Sequence, residues 1–475
     1  MKHYLKYLLL LVIIITNSCT NLTSNKAQEE DEKAFDTYVI KNVNIIPMTT
    51  HNEVIENAIV LIQNQKIISI NDTIPDGAKT IDGKGKWLIP GLIDMHVHSV
   101  SHVNFGKSSP TQGATFFFNS QDMVTPYVIN GVTTIFDLNS NSSYFALRNE
   151  IAIGDVIGPK IALAKLLNGG NDVGHVNTPS DGRQAVRSAK ADGYHFIKTY
   201  THLNKETFLA IVDEAKKLEL KVIGHIPKAF EDRLEEAFVP NFSMVAHAEE
   251  FARYWRKDNS YKKALEYAKM AKENNTWVVP TLTVMDWINK QSKSLDCITQ
   301  LSSLKYLHPI FQDKWINHNK HSKNSSPNYS VYLDSLVNFN NKLVRAFKET
   351  GVPIVTGTDA MCSGVVPGFS VHDELELLVE AGLTPEEVLI SATRLPATWL
   401  GIDKKTGTIE AGKDADLILL NSNPLDNINN TRDIDGVFVS GTWLNKSKID
   451  SMLSDLASRN NESLGKYKWK KRRTY

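Results

Sequence analysis

Short apolar runs recur through most of the chain, and a polar or helix-forming stretch follows each of them. Eight such runs lie between Leu88 and Asp359, and they begin at Leu88, Val132, Lys160, Phe196, Lys221, Phe242, Trp277 and Pro353. This alternation is typical of βα units in a parallel sheet. Because eight units close naturally into a barrel, the pattern predicts an α/β fold with a (β/α)8 TIM-type barrel over residues 88–404.

A different pattern flanks these runs at both ends of the chain. Residues 38–87 alternate apolar and polar positions in short segments that Asn, Asp and Gly interrupt, and a similar pattern returns at residues 415–420 and 435–444. Such alternation is typical of half-buried strands joined by turns. We therefore expect residues 35–87 and 405–450 to form one small β-sandwich, with the barrel inserted between its two halves.

The connection after the seventh apolar run is longer than barrel connections usually are. Residues 286–343 are rich in aromatic side chains, among them Trp287, Tyr306 and Trp315, and we expect them to be helical. They form either a lid or specificity element over the site, or a helical excursion in the outer ring.

The first residues have the pattern of an export signal. Lys2 and Lys6 precede an apolar run at residues 8–15, which is too short to span a bilayer. We therefore expect a signal peptide at residues 1–18.

The residues that lead into Cys19 resemble the lipobox at which bacterial lipoprotein signals are cut, except that Thr16 stands where a large aliphatic residue is usual. This resemblance implies an exported protein with a lipid on Cys19, held at the cell envelope. Residues 19–34 would then be a polar tether. The alternative is a cysteine in an ordinary cleaved signal or in a short membrane anchor.

Composition adds a few constraints. The 475 residues are enough for a barrel of ~250 residues and a smaller domain. Basic and acidic side chains number 53 each, so no net charge points to nucleic acid as a partner. Beyond Cys19 only Cys297 and Cys362 remain, too few for a disulfide framework. Residues 451–475 form a basic tail that is either solvated or in contact with an anionic membrane surface.

A pair of histidines ends the first apolar run. His96 and His98 are two residues apart in D-M-H-V-H, so in a strand both side chains face the same way, toward the barrel axis. Two adjacent imidazoles suit one metal ion, although half-buried strands also contain such pairs by chance.

Three further side chains of metal-ligand type follow other apolar runs, namely His225, His247 and Asp359. A buried imidazole needs a partner, and neutral imidazole is a common zinc ligand. Alone, each histidine could be a hydrogen-bonded structural residue, and Asp359 could cap the next helix. The carboxyl ends of barrel strands form the active-site face, so we expect these side chains to meet there.

Lys198, in F-I-K-T-Y, ends the fourth run and would be a buried cation inside the barrel. A Schiff base is one use for such a lysine. The nearby histidines argue instead for a lysine carboxylated by CO2, because an ammonium cannot bridge metals. The carbamate has two oxygens, and each can hold one metal at the ~3.5–4 Å separation of two-metal hydrolases.

Two longer motifs carry a family resemblance that covers nearly the whole mature chain. Residues 90–98, P-G-L-I-D-M-H-V-H, resemble the first-strand motif of the amidohydrolase superfamily. Residues 407–420, G-T-I-E-A-G-K-D-A-D-L-I-L-L, resemble its C-terminal signature. The chain is similar to the imidazolonepropionase-like and prolidase-like branch. Around His225 and His247, however, it reads G-H-I-P and M-V-A-H-A, where relatives often have H-A-H-G and S-I-E-H-G.

The resemblance implies a centre with two divalent metal ions. His96, His98 and Asp359 would hold one ion, His225 and His247 would hold the other, and a carbamate on Lys198 would bridge them. The imidazole ligands favour Zn²⁺, with manganese, iron and cobalt as alternatives.

The resemblance also implies a reaction on a small-molecule amide. Two bound metals would supply a hydroxide to attack the scissile carbonyl, and Asp359 would pass the proton to the leaving amine. The expected substrate is a dipeptide or an N-acyl amino acid. Alternatives are a lactone, cyclic amide or phosphoester hydrolase, a one-metal deaminase-like enzyme, and a non-catalytic binding lipoprotein of the envelope. A bridging lysine argues against the one-metal enzyme.

Four residues are candidates for substrate contacts. His175 resembles a substrate-contacting histidine that relatives carry after the third strand. Tyr200 lies two residues after Lys198 and would face the same way. Both could equally be loop or packing residues. Arg183 and Arg394 could pair with a substrate carboxylate, although Arg394 could instead cap the helix after the barrel.

Overall fold

The computed structural model describes residues 36–99, 102–105, 114–171, 175–252, 258–323 and 325–471. The expected signal peptide, Cys19 and the polar tether lie outside the described residues. Within the described part of the chain, no helix is both long and apolar enough to cross a membrane.

Two sheets carry most of the architecture. The strands, in chain order, are β1 (Tyr38–Ile45), β2 (Ile55–Gln63), β3 (Lys66–Ile70), β4 (Lys79–Asp82), β5 (Trp87–Pro90), β6 (Leu92–Val97), β7 (His102–Phe105), β8 (Ala114–Phe117), β9 (Val132–Asp137), β10 (Lys160–Leu167), β11 (Phe196–Thr199), β12 (Lys221–Gly224), β13 (Phe242–Ala246), β14 (Trp277–Val279), β15 (Leu417–Leu420), β16 (Ile434–Val439) and β17 (Thr442–Asn445). One sheet has the order β14-β13-β12-β11-β10-β9-β6, and the other has the order β17-β16-β15-β5-β1-β2-β3 with β4 beside β1. A separate hairpin pairs β7 with β8.

The first of these sheets is a parallel barrel, closed by the segment that begins at Pro353. This segment forms single parallel bridges, Ile354 with Val278 and Ala360 with Val97, instead of a continuous strand. Gly357 lies so close to its neighbours that an added Cβ would be 2.9 Å from the backbone nitrogen of His96. The prediction of a barrel is therefore confirmed, with seven regular strands and an eighth, irregular segment.

The run that begins at Leu88 serves two sheets. Trp87–Pro90 pairs with β15 and β1, and the barrel strand begins after Gly91, at Leu92. A Cβ on Gly91 would lie 2.1 Å from the Thr133 hydroxyl oxygen, so the crossing from one sheet to the other needs glycine. The expected boundary at residue 88 therefore falls inside a strand of the terminal sheet.

The two ends of the chain pair in one sheet, as the alternating patterns predict. This sheet also curls back on itself: the Ile67 amide donates to the Lys413 carbonyl (2.9 Å), and the Gly412 amide donates to the Ile67 carbonyl (2.7 Å). The two layers of the expected sandwich are thus parts of a single curled sheet, with Phe438 and Val60 in its core.

Helices surround the barrel and fill the long connection. They are α1 (Ser120–Ile129), α2 (Ser142–Ala152), α3 (Pro179–Ala191), α4 (Lys205–Lys217), α5 (Tyr261–Glu273), α6 (Leu282–Lys293), α7 (Asp296–Thr299), α8 (Pro309–Asn317), α9 (Lys320–Lys323), α10 (Pro327–Thr350), α11 (Phe369–Glu380), α12 (Pro385–Ser391), α13 (Arg394–Leu400) and α14 (Lys446–Glu462). Short 3₁₀ turns lie at Lys228–Phe230, Leu234–Ala237, Ala248–Phe251, Ser302–Tyr306, Ile428–Arg432 and Trp469–Lys471. Residues 286–343 are helical for most of their length, as expected. Helix α14 runs through the boundary at residue 450, so the expected tail begins as a packed helix whose Leu456 is buried.

The amino end of the barrel is closed by apolar packing and tied to the terminal sheet. Trp399 of α13 stacks on Phe196, the first residue of β11, at 5.3 Å between ring centroids. Lys160, the first residue of β10, forms ion pairs with Asp414, at 3.2 Å, and with the buried Asp416. The carboxyl ends of the strands lie at the opposite end, where the polar residues gather.

Candidate metal centre

The carboxyl ends of the barrel strands bring buried polar side chains together. His96 is the next-to-last residue of β6, Lys198 is the third residue of β11, and His225 and His247 directly follow β12 and β13. Asp359 lies in the irregular eighth segment. His98 follows the end of β6, beyond a register shift between Asp94 and Val97, so its place beside His96 depends on the bulge as well as on strand alternation.

His96, His98 and Asp359 form a candidate metal site. Their ligand atoms lie within 4.8 Å of one another. The His96 Nε2 and His98 Nε2 atoms are 3.2 Å apart, and Asp359 Oδ1 is 3.3 Å from the first and 3.1 Å from the second. Nitrogen ligands about 2.05 Å from a tetrahedral zinc ion would be separated by about 3.3 Å, so the donor set fits a divalent cation.

The protonation states suit metal binding. Burial, together with the positive charge of the nearby Lys198, holds the pKa of His96 well below 6.5. Burial and the neighbouring His225 do the same for the pKa of His247. Burial opposes ionisation of Asp359, but the surrounding histidine rings outweigh that effect and hold the pKa of its carboxyl well below 3.8. Neutral imidazoles and a carboxylate are the forms that bind metals.

His225 and His247 are oriented by partners on the Nδ1 side of each ring. His225 Nδ1 lies 2.7 Å from Glu250 Oε1, and the other Glu250 oxygen accepts from the Ile226 amide at 3.1 Å. His247 Nδ1 lies 2.7 Å from the Thr281 hydroxyl. With Nδ1 oriented in this way, each ring would present Nε2 to a metal.

The rings form a continuous chain across the strand ends. Ring centroids are 4.6 Å apart between His96 and His247 and again between His247 and His225. Lys198 is fully buried, and its charge contributes to lowering the pKa values of both His96 and His247, so its side chain lies near both rings. The structure therefore brings together all six residues that the sequence singles out.

Three residues of the centre or its support adopt backbone conformations that non-glycine residues seldom take. The φ angles are 75° at His247, 48° at Thr281 and 62° at Asp359. Positive φ costs free energy and persists only where the surrounding structure enforces it. Here the His247 amide donates to the Val279 carbonyl (2.9 Å) and the Asp359 amide to the His96 carbonyl (2.7 Å), so hydrogen bonds between neighbouring strands fix both residues.

Two buried carboxyl groups support these backbones. Asp94 accepts from the Thr358 amide at 3.0 Å and from the Thr358 hydroxyl at 2.7 Å, next to Asp359. Glu374 accepts from the amides of Leu282 and Thr283, at 3.0 and 2.7 Å, and so caps α6 just after Thr281. Burial raises the pKa of each carboxyl to about 7.

The structure separates the four candidates for substrate contacts. The Tyr200 ring lies 4.3 Å from the His225 ring, at the centre. His175 is half-buried in the loop after β10, next to Gly170. Arg183 pairs with Asp213 and Glu214 on the neighbouring helix α4, and Arg394 begins α13 near the opposite end of the barrel.

Sequence reasoning missed Glu250, Thr281 and Glu374, which position the centre without belonging to it. A signal existed for Glu250: the segment H-A-E-E places two carboxylates directly after a ligand-type histidine, and both are buried. Thr281 and Glu374 carry no such signal, because their roles depend on contacts between distant parts of the chain.

Comparisons with known proteins add to this geometry. A model of the amidohydrolase family matches residues 87–444. The 5-methylthioadenosine/S-adenosylhomocysteine deaminase of Bacillus thuringiensis (strain Al Hakam) is 25% identical over 420 residues, which are 81% of this chain and 85% of the relative.

Solved structures with a similar fold include a Xaa-Pro dipeptidase with bound methionine in the active site. It has a TM-score of 0.64 and 23% identity, over 86% of this chain and 100% of that chain. Bottromycin amidohydrolase has a TM-score of 0.69 and 21% identity, over 89% of this chain and 90% of that chain. At these identities the likeness shows the fold.

Proposed function

The chain belongs to the amidohydrolase family, and on that premise we propose that it is a metal-dependent hydrolase that cleaves a C–N bond. The observation that carries the proposal is the donor set of His96, His98 and Asp359, whose ligand atoms lie within 4.8 Å of one another at the carboxyl ends of the barrel strands.

The proposed centre holds two divalent cations. His96, His98 and Asp359 would bind one cation, and His225 and His247 would bind the other, with a CO2-derived carbamate on Lys198 between them. Support comes from the complete burial of Lys198 and from Glu250 and Thr281, which lie on the Nδ1 side of the His225 and His247 rings. The imidazoles favour Zn²⁺.

Bound divalent cations would lower the pKa of water and polarise the scissile carbonyl. The chain itself supplies the proton transfer. Asp359, ionised in its buried setting, would accept a proton through a carboxylate oxygen and return it to the leaving amine. The Cys362 thiol, 3.3 Å from Asp359 Oδ2, helps to hold this carboxylate in place. Tyr200 and His175 are the proposed substrate contacts.

The proposed substrate is an amide such as a dipeptide or an N-acyl amino acid. A dipeptidase and an amidohydrolase are among the proteins of similar fold, which supports this class. A lactone, cyclic amide or phosphoester would suit the same donor set.

A second candidate function is a one-metal deaminase. The curated relative from Bacillus thuringiensis is named as a deaminase, and the group of close ligand atoms found among the described residues consists of two imidazoles and one carboxylate. A single cation on this group would need no bridging ligand. The two candidates therefore differ in how strongly metal binding depends on Lys198.

The test is metal content, measured by elemental analysis on the mature chain without residues 1–19 and on its Lys198→Ala variant. We expect roughly two metals per chain, falling to one or none in the variant.

We also expect Asp359→Asn to keep bound metal and to lose turnover of dipeptide and N-acyl amino acid libraries by orders of magnitude.

Three outcomes would redirect the assignment. Near wild-type turnover in Asp359→Asn would remove the proton-transfer role. One metal per chain that is retained in Lys198→Ala, with ammonia as product, would favour the deaminase. A metal-free wild type after reconstitution with zinc and bicarbonate would favour a non-catalytic binding protein of the envelope.

We also propose that the protein is held at the cell envelope by a lipid on Cys19, as the lipobox-like residues before it suggest.

A further inference from the structure

A cavity of about 310 Å³ lies next to the candidate metal centre. Ser99, which directly follows His98, and Met361, two residues after Asp359, are part of its lining. The lining contains these neighbours of the ligands and not the ligands themselves. The cavity is therefore placed to receive a part of the substrate that does not react.

Its walls are aromatic and come from distant parts of the chain. Phe116 is in β8 and Phe118 directly follows that strand, His308 comes from the long connection after β14, and Tyr467 follows α14. The His308 ring lies 4.8 Å from Phe118 and 4.7 Å from Tyr467, and Phe116 lies 5.1 Å from Tyr467. The C-terminal segment thus forms one side of the cavity.

The lining offers little charge to a ligand. Among the described residues that line the cavity, the charged ones are Asp122, Arg459 and Glu462. Arg459 donates to both oxygens of Asp122, through Nη2 at 2.6 Å and Nε at 3.2 Å. Burial lowers the pKa of His308 to about 4, so this ring is neutral at ordinary pH. Among the described residues of the lining, Arg459 is thus already engaged by a carboxylate, and most of the uncharged side chains are aromatic or aliphatic.

We propose that this cavity is the specificity pocket of the enzyme and binds a bulky, uncharged aromatic or apolar group of the substrate. The inference rests on the proposed function and narrows it: the amide carries such a group on one side of the scissile bond. The hairpin, the connection after β14 and the C-terminal segment then select the substrate together.

The experiment measures binding without hydrolysis. Phenylpropanol and propanol differ by one phenyl group and contain no bond that an amidohydrolase cleaves. Titrations of the metal-loaded protein, followed by ligand-observed NMR, should show phenylpropanol binding about 10- to 100-fold more tightly, the range expected for burying a phenyl group.

A matched pair of variants locates the binding. Ser463 lines the cavity and is half-buried at the end of α14, whereas Ser458 is exposed on the same helix and outside the lining. Ser463→Trp should fill the cavity and weaken phenylpropanol binding at least about 10-fold. Ser458→Trp should leave it unchanged. Tyr467→Ala, which removes one wall of the cavity, should also weaken phenylpropanol binding. This variant provides the test if Ser463→Trp does not fold.

Equal affinities for the two alcohols would overturn the proposal, as would phenylpropanol binding that survives both Ser463→Trp and Tyr467→Ala. The result is separate from the metal test. If the protein binds phenylpropanol but has no hydrolytic activity, the pocket proposal stands and the proposed hydrolase function is wrong. If it shows metal-dependent hydrolysis without selectivity for phenylpropanol, the proposed function stands and the pocket proposal is wrong.

Discussion

At the scale of single residues, the orientation of the histidines in the candidate metal centre depends on side chains that are not themselves candidate ligands. Glu250 fixes the His225 ring through Nδ1, and Thr281 does the same for His247. Such partners set the tautomer and raise the basicity of the nitrogen that faces the cation.

Replacing Glu250 by Ala should therefore weaken metal binding. We expect a loss of about 10- to 100-fold in affinity, because the buried His225 ring loses the carboxylate that fixes its tautomer. Competition with a chelating dye measures this. Glu273→Ala, at an exposed position on α5, is the control and should bind metal as the wild type does. An unchanged affinity in Glu250→Ala would contradict the role given to this carboxylate.

The sequence predicts the positions of the ligand-type residues better than the positions of their partners. His96, His98, Lys198, His225, His247 and Asp359 each end an apolar run, and strand ends meet at one face of a barrel whatever the details of packing. Glu250, Thr281 and Glu374 depend on which turn and which helix lie against which strand. For Thr281 and Glu374 no local pattern predicts these tertiary contacts, whereas the segment H-A-E-E after β13 at least marks Glu250 as a candidate.

At the scale of elements, helix α6 begins in an unusual way. Its first residues follow Thr281, whose φ of 48° is left-handed, and its amides are capped by Glu374 of α11 and not by a residue of its own turn. The capped residues Leu282 and Thr283 directly follow Thr281, the partner of His247, so the start of α6 couples Glu374 to the candidate metal centre.

This cap should make stability depend on pH. Burial raises the pKa of Glu374 from 4.5 to about 7, so between these values the folded protein keeps a proton that the unfolded chain has lost. The free energy of unfolding therefore falls as pH rises through this range, by about 3 kcal/mol from this group, and levels off above it.

Glu374→Gln should remove that contribution. Urea unfolding midpoints measured at about pH 5 and about pH 7.5 should differ less in the variant than in the wild type. Glu380→Gln, on the exposed side of the same helix, should keep the wild-type difference. The same pH dependence in Glu374→Gln and wild type would show that this carboxyl does not titrate in the range.

Most elements follow the predicted pattern, and the exceptions have physical causes. Six of the eight apolar runs begin regular barrel strands at the expected residues, from Val132 to Trp277. The first run is divided at Gly91 between two sheets, and the eighth pairs only at single residues around Gly357 and Asp359. Both departures arise where the backbone passes too close to its neighbours for a regular ladder, and apolar periodicity does not report such approaches.

At the scale of the whole molecule, the inserted architecture was accessible from sequence because both halves of the terminal sheet show the same alternation. The curl of that sheet and the helix α14 were not, since the curl depends on hydrogen bonds between Ile67 and residues 412–413, and the helix contacts α1 and the connection after β14. Helix α14 also turns the expected basic tail into part of a cavity wall.

The proposed lipid anchor concerns the place of the whole molecule in the cell. Cys19→Ala should abolish labelling with radioactive palmitate and release the protein from the membrane fraction, because the anchor requires the thiol. Tyr475→Ala, at the other end, should change neither readout. Membrane association that persists in Cys19→Ala would instead favour a short anchor in residues 8–15.

The position of β5 has a consequence for the order in which the protein is made. This strand lies between β1 and β15, and β15 follows the whole barrel in sequence. A ribosome delivers β1 and β5 early, so one edge of β5 waits unpaired until residues 417–420 emerge. Open strand edges invite pairing with other chains. A nascent or truncated chain therefore stays prone to aggregate even after its barrel has formed, and the last strands made are the ones that end that risk.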